Sequence, residues 1–174
     1  MDTAGMIPEL LVLVVFPILL AVAAGWDLAS YTVPNWVPLA LLATFAIFAV
    51  VSAMPWAMLG YHALAGGIAL AAGFALFAFG IIGGGDAKLF ACIAVMFGFR
   101  DMLDYALLAS LFGGALTLGL LAMRQFPLPQ PLAAQAWIAR LHNAGSGVPY
   151  GVALAAGGLL LLPHTEIFRL AAGL

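Results

Sequence analysis

Two aspartates carry the most chemical information in this chain. Asp27 closes a long apolar run in Gly25-Trp26-Asp27, and Asp86 opens another in Gly83-Gly84-Gly85-Asp86. A carboxylate at the end of a membrane-embedded helix is costly, which makes each a candidate functional group. Two nearby carboxylates in a low-dielectric site cannot both ionise easily, so the ionised member can activate water while the protonated one polarises a peptide carbonyl. That pairing is the chemistry of aspartyl peptide hydrolysis. The glycines before Asp86 carry no side chains to block a close backbone approach, and their helix-breaking tendency exposes the acid to substrate and water.

Each acid also has a plainer explanation. Asp86 precedes an apolar helix, where a carboxylate can cap backbone N–H groups and meet the positive end of the helix dipole. Length argues that it does more than cap. The helix after Lys88 runs only to Phe99, about 16 Å at 1.5 Å per residue, so the stretch 83–88 must lie at membrane depth if this segment spans. Asp27 has a weaker plain explanation, because a negative charge at a helix C-terminus faces the negative end of the dipole. Tyr31, Thr32, Val33, Pro34 and Asn35 follow it. Pro34 can begin the next helix but not continue the last, so the connection is a tight turn.

The elements that position the acids follow from composition. With 66% hydrophobic and 7% charged residues, the chain lies far outside the range of a soluble globular domain. Runs of about 20 apolar residues match a hydrocarbon core. Six candidate spans are expected, at 10–26, 36–53, 58–82, 83–99, 105–123 and 148–162, and the absence of an alternating, turn-punctuated pattern excludes a barrel. The expected fold is an all-α integral membrane protein, a six-transmembrane-helix bundle forming one polytopic domain over 1–174. Two spans separate the acids, which places Asp27, Asp86 and Tyr150 on one membrane face and Arg100 and Asp104 on the other. Lys88, Arg124 and Arg140 against Arg100 and Arg169 give a small positive-inside bias that favours cytoplasmic aspartates.

The first span has Ala21-Val22-Ala23, which looks like a signal cleavage site. Asp2 and Glu9 precede it without Lys or Arg, so it reads as a retained anchor. Cys92 is the only cysteine, which excludes an intramolecular disulfide and a cysteine-rich zinc site and leaves it as a packing residue. His62, His142 and His164 lack ligand spacing and receive no chemistry. The connection 124–147 carries Pro127, Pro129 and Pro131, then Ala134, Trp137, Ile138 and Leu141 at helical spacing with Gln135, Arg140 and His142 off that stripe, as expected of a short interfacial helix tethering the loop. Gly66, Gly67, Gly73, Gly113 and Gly114 are expected to serve close helix packing.

Taken together, these residues resemble the type IV prepilin peptidases among the GxGD aspartic proteases, and within them the compact branch associated with Flp, or tight-adherence, pili. Asp27 with Val33-Pro34-Asn35 is similar to the first catalytic motif of that family. Gly83-Gly84-Gly85-Asp86-Ala87-Lys88 is similar to the GxGD motif with its following lysine, and Val148-Pro149-Tyr150-Gly151-Val152-Ala153 to the motif opening the last helix. The resemblance implies a bacterial inner-membrane endopeptidase that removes the leader of prepilin and pseudopilin precursors on the cytoplasmic side. Asp27 and Asp86 would be its catalytic pair, with no metal and no cofactor. Larger members carry a cytoplasmic domain with paired cysteines and methylate the new N-terminus. Here only a short turn joins the first two helices, so methyl transfer is not expected, and the turn also lacks the basic residues many relatives place there.

Gly83, Gly85, Lys88, Pro34, Asn35, Pro149, Tyr150 and Gly151 are expected to support the site or touch substrate. Lys88 lies two residues from Asp86 and so points to another helix face; it is expected to snorkel to the interface, with contact to an acidic substrate residue as the alternative. Pro149 could hold substrate backbone or simply start its helix. Membrane lipid and a pilus assembly machinery are further expected partners, and nucleic acid is not. Two other classes stay open from the residues alone: a proton-coupled transporter, which would show repeated halves, and a noncatalytic assembly subunit with Asp86 as a cap.

Overall fold

A computed structural model describes residues 3–174, leaving Asp2 outside the described residues. No strand occurs among them. In lipid each backbone polar group must be paired within its own segment, and a chain this apolar meets that demand with helices. These are α1 (Thr3–Leu10), α2 (Phe16–Ser30), α3 (Trp36–Val51), α4 (Trp56–Ala78), α5 (Gly84–Met123), α6 (Gln130–Ala133), α7 (Ala136–His142), α8 (Tyr150–Leu161) and α9 (Glu166–Ala172).

Prolines mark several of the boundaries and one irregularity. A π-helical turn, Leu11–Val15, joins α1 to α2, and the Phe16 N–H reaches back to the Leu11 carbonyl. Pro17 follows at once. It has no N–H, and its ring crowds the carbonyl four residues earlier, so a widened turn upstream lets the helix pass through. Pro55, Pro129 and Pro149 sit at the N-cap positions of α4, α6 and α8.

Three helices are long and apolar enough to cross a membrane, Met6–Ser30, Trp56–Ala78 and Gly84–Met123, and Tyr150–His164 with Glu166–Ala172, bent by 55°, gives a fourth if counted as one span. Trp36–Val51 is apolar but shorter. The protein is therefore an all-helical membrane protein, and the expected count of six spans is not reached by length and composition. The main difference lies in the two expected spans 83–99 and 105–123, which belong to one helix with Arg100 and Asp104 inside it. That helix is not straight. Gly98 takes φ 77°, ψ 177°, a backbone that favours glycine.

Beyond Gly98 the chain folds back on itself. The Tyr105 ring lies 5.4 Å from both Phe90 and Phe97, whereas in a straight helix residues 90 and 105 would be about 22 Å apart. The two arms, 84–97 and 99–123, thus run side by side in opposite directions. His62 of α4 seals the break. Its Nδ1 donates to the Val95 carbonyl at 2.7 Å, the acceptor that in an unbroken helix would take the Phe99 N–H. The ring stacks on Phe45 at 4.9 Å, and a Cβ on Gly98 would come within 2.9 Å of it. The histidine that the sequence left without a role is thus buried and structural.

The core joins α2, α3, both arms of α5, α8 and α9 through Phe16, Leu20, Val37, Phe48, Ile93, Phe97, Tyr105, Leu154 and Ile167. Close packing uses some of the expected glycines: a Cβ on Gly66, Gly73 or Gly113 would collide with Val95, Ala87 or Tyr150, while Gly67 and Gly114 face open space. Cys92 is buried and unpaired. Replacing His62 with Leu would leave the Val95 carbonyl unpartnered, at a cost of about 1–3 kcal/mol. Thermal unfolding of His62→Leu in detergent should show a clear loss of stability, and wild-type stability would remove the histidine from its sealing role.

Candidate active site

Asp27 lies in the last turn of α2 and is 3% exposed. The dipole of its own helix works against it there, and a second helix supplies the compensation. The first residues of α8 point at the carboxylate: the Gly151 N–H donates to Asp27 Oδ2 at 2.7 Å. A helix N-terminus offers unpaired N–H groups and partial positive charge, so it favours a carboxylate that a C-terminus repels. Gly151 has to be small for this. A Cβ there would lie 2.8 Å from the same oxygen.

Asp86 is 8% exposed and occupies the third position of α5. Its Oδ2 accepts the Gly83 N–H at 3.1 Å, which is half of a capping box. The capping explanation is therefore correct as far as it goes. The acid also does something a cap does not require, since Asp86 and Asp27 line one cavity of about 520 Å³ with Tyr31, Gly83, Thr117, Ser146 and Tyr150. The Gly151 N–H that binds Asp27 thus stands at the cavity that both acids line.

The structure divides the other residues picked from the sequence into two groups. Gly83, Tyr150 and Gly151 gather at the acids, with Pro149 one step before them as the N-cap of α8. Gly85 packs against the turn after Asp27, where a Cβ would meet Val33 at 3.3 Å. Pro34 lies in that turn and its carbonyl accepts the Val37 N–H at 3.0 Å. Lys88 and Asn35 form the second group. Lys88 Nζ donates to Asn35 Oδ1 at 2.9 Å, on the far side of the arm from the acids, bordering an apolar groove instead of their cavity. Lys88 thus ties the first motif to the second and does not reach the carboxylates.

Several contributors gave no clear signal in sequence. Tyr31 ends α2 in the left-handed region, φ 57°, a conformation glycine usually supplies. It lines the cavity, and its hydroxyl is buried beside Arg124. Arg124 binds the Leu141 and Gly147 carbonyls at 2.9 and 2.6 Å, fixing the chain that leads into α8. Arg140 donates to the Ala29 carbonyl at 2.8 Å, where a cation also complements the C-terminal end of α2. The loop 124–147 was expected to present Arg140 and His142 away from its apolar stripe. Arg140 stays exposed and reaches across to α2, so the loop ties the end of α2 to the start of α8.

Residues 14–118 match the model of the type IV leader peptidase family, more than half of the chain and a stretch that contains both acids. The chain belongs to the type IV leader peptidase family. No curated protein and no solved structure matches it significantly. A leader peptidase of this family is a protease, and its substrates are of the prepilin type. The matched stretch ends before Tyr150 and Gly151, so their link to the site rests on the geometry at Asp27.

Because the Gly151 N–H and the missing Cβ both serve Asp27, Gly151→Ala should displace the carboxylate while leaving the helices intact. Cleavage should fall by at least about tenfold, a change of about 1.4 kcal/mol in the barrier, with an unchanged helical circular-dichroism spectrum. Full activity of Gly151→Ala would show that this contact is dispensable.

Proposed function

We propose that this leader peptidase is an aspartic endopeptidase of the GxGD type serving Flp-type pili, with Asp27 and Asp86 as its catalytic pair. In this reading the chain is a single domain of six spans, obtained by counting the two arms of α5 separately and including the short α3 and the bent α8–α9 pair. It lies in the bacterial inner membrane with the acids near the cytoplasmic face. One observation carries the proposal: two buried carboxylates from distant parts of the chain line one cavity, where the Gly151 N–H holds Asp27. A cap or a packing role for either acid would not need the other nearby.

The mechanism follows from the pair. The ionised carboxylate takes a proton from water, and the water oxygen attacks the scissile carbonyl carbon. The protonated carboxyl donates to the carbonyl oxygen as negative charge develops there. Collapse of the tetrahedral intermediate breaks the C–N bond, the departing nitrogen gains a proton from the pair, and the products are a leader carboxylate and a free amino terminus. Tyr31 lines the same cavity and can contact bound substrate. The substrate needs a short polar segment before the bond and an apolar stretch after it that anchors it beside the enzyme. Nothing in the short turn between α2 and α3 offers a methyl-transfer module, so the new amine leaves unmodified.

Co-expression with small pilin or pseudopilin precursors from the same genome, with mass spectrometry of the product N-terminus, tests this. A product that starts at one defined position and carries an unmethylated amine is expected. Asp27→Asn and Asp86→Asn should each abolish cleavage with normal insertion, and the double variant should be no worse than either, since members of a catalytic unit are not additive. Substantial activity in either single variant, or no shortened precursor with the wild-type protein, would overturn the assignment.

A further inference from the structure

Asp86 stands at the junction of two cavities of opposite character. The larger, about 520 Å³, is the one it shares with Asp27, and its wall includes Tyr31, Thr117 and Ser146. The smaller, about 270 Å³, shares Ile82, Asp86 and Tyr150 with it and is otherwise walled by residues such as Leu76, Phe90, Ala106 and Ala109. Ser110 is its one other polar residue, and that hydroxyl is already committed to the Ala106 carbonyl at 2.7 Å. Apart from Asp86 and Tyr150 the smaller cavity therefore offers a ligand only apolar surface.

The smaller cavity is also a window. Ala72 and Leu76 of α4 and Ser110 of the second arm of α5 are exposed, so the opening lies between two helices whose outer surfaces face lipid. Small side chains at Ala106 and Ala109 give it depth along the arm. An apolar opening in a membrane protein is ordinarily filled by lipid tails, but this one ends on a buried carboxylate that also faces a polar cavity. A lipid tail gains nothing from that acid. A peptide does, provided its polarity changes at the same point.

We propose that this window, between α4 and the second arm of α5, seats the first apolar side chains that follow the scissile bond, while the polar leader lies in the larger cavity. The proposal rests on the peptidase reading and adds to it a docking site and its determinants. Ala106 and Ala109 set the size of the side chain admitted next to the bond, and the step from polar to apolar lining across Asp86 selects a bond at a polar–apolar boundary. A rival seat exists in the groove of about 490 Å³ on the opposite side of the first arm, lined by Leu39, Ala63, Gly67 and Lys88. That groove touches neither acid.

A benzophenone amino acid at Ala106 or at Ala63, in the full-length Asp27→Asn protein, separates the two seats when irradiated in native membranes with an anchored precursor. Ala106 should cross-link to the first apolar residues of the precursor, and Ala63 should not. Cross-linking from Ala63 alone, or from Ala106 to lipid alone, would overturn the docking site. In the otherwise wild-type protein, Ala106→Phe should lower cleavage of a precursor with a large apolar residue after the bond at least tenfold more than cleavage of one with alanine there. An unchanged ratio would also overturn the proposal, and a variant that does not fold leaves the cross-link to decide. If precursors are cut but the label appears at Ala63, the docking site fails while the peptidase reading stands. If the wild-type protein cuts no precursor, both fail.

Discussion

A carboxylate in the last turn of a helix is out of place, and the contact that makes Asp27 tolerable is the one on which the site depends. The Gly151 N–H at the start of α8 reaches Asp27 Oδ2 at 2.7 Å, so the unfavourable end of one helix faces the favourable end of another. Several features act to keep those two ends together. Arg140 binds the Ala29 carbonyl from the end of α2, and Arg124 binds Gly147 from the approach to α8. Glycine at 151 leaves no Cβ between the carboxylate and the backbone. With α2 and α8 joined in this way, the first arm of α5 needs only to bring its N-terminus alongside for Asp86 to share the cavity.

The membrane sets the second constraint, because each break in a helix must find its own partner for the freed backbone group. At Gly98 the partner is His62, whose Nδ1 takes the Val95 carbonyl at 2.7 Å. The fold-back that this break allows gives α5 two antiparallel arms and brings Tyr105 against Phe90 and Phe97. It also carries the wall at Ala106 and Ala109 alongside Asp86. A change of direction far from the acids therefore decides what lies beside them.

The acids and their neighbours were legible in sequence because membrane burial makes a carboxylate conspicuous, and because glycine and proline runs mark where helices start. Asp27, Asp86, Gly83 and Tyr150 line one cavity, with Gly151 bonded to Asp27 at its edge. Lys88, expected to snorkel to the interface, bonds to Asn35 at 2.9 Å, a partner that was not foreseen. The fold-back was harder to read. The expected spans 83–99 and 105–123 left Arg100 and Asp104 between them, whereas one helix carries both residues and the turn falls at Gly98. The roles of Arg124 and Arg140 at the site were not legible because they depend on contacts with distant backbone atoms, and sequence spacing carries no trace of such pairs.

The central claim is that Asp27 and Asp86 face one another across a single cavity in the membrane. It can be measured without substrate. Asp27→Cys/Asp86→Cys in a Cys92→Ala background, treated in native membranes with a short bifunctional thiol reagent, should give an intramolecular cross-link between the two positions by mass spectrometry. Asp27→Cys/Asp101→Cys treated in the same way should give none, because Asp101 lies beside the start of α9, where it accepts the Glu166 N–H at 2.8 Å. Equal cross-linking of both pairs, or failure of the first pair when both of its cysteines react singly, would contradict the shared site.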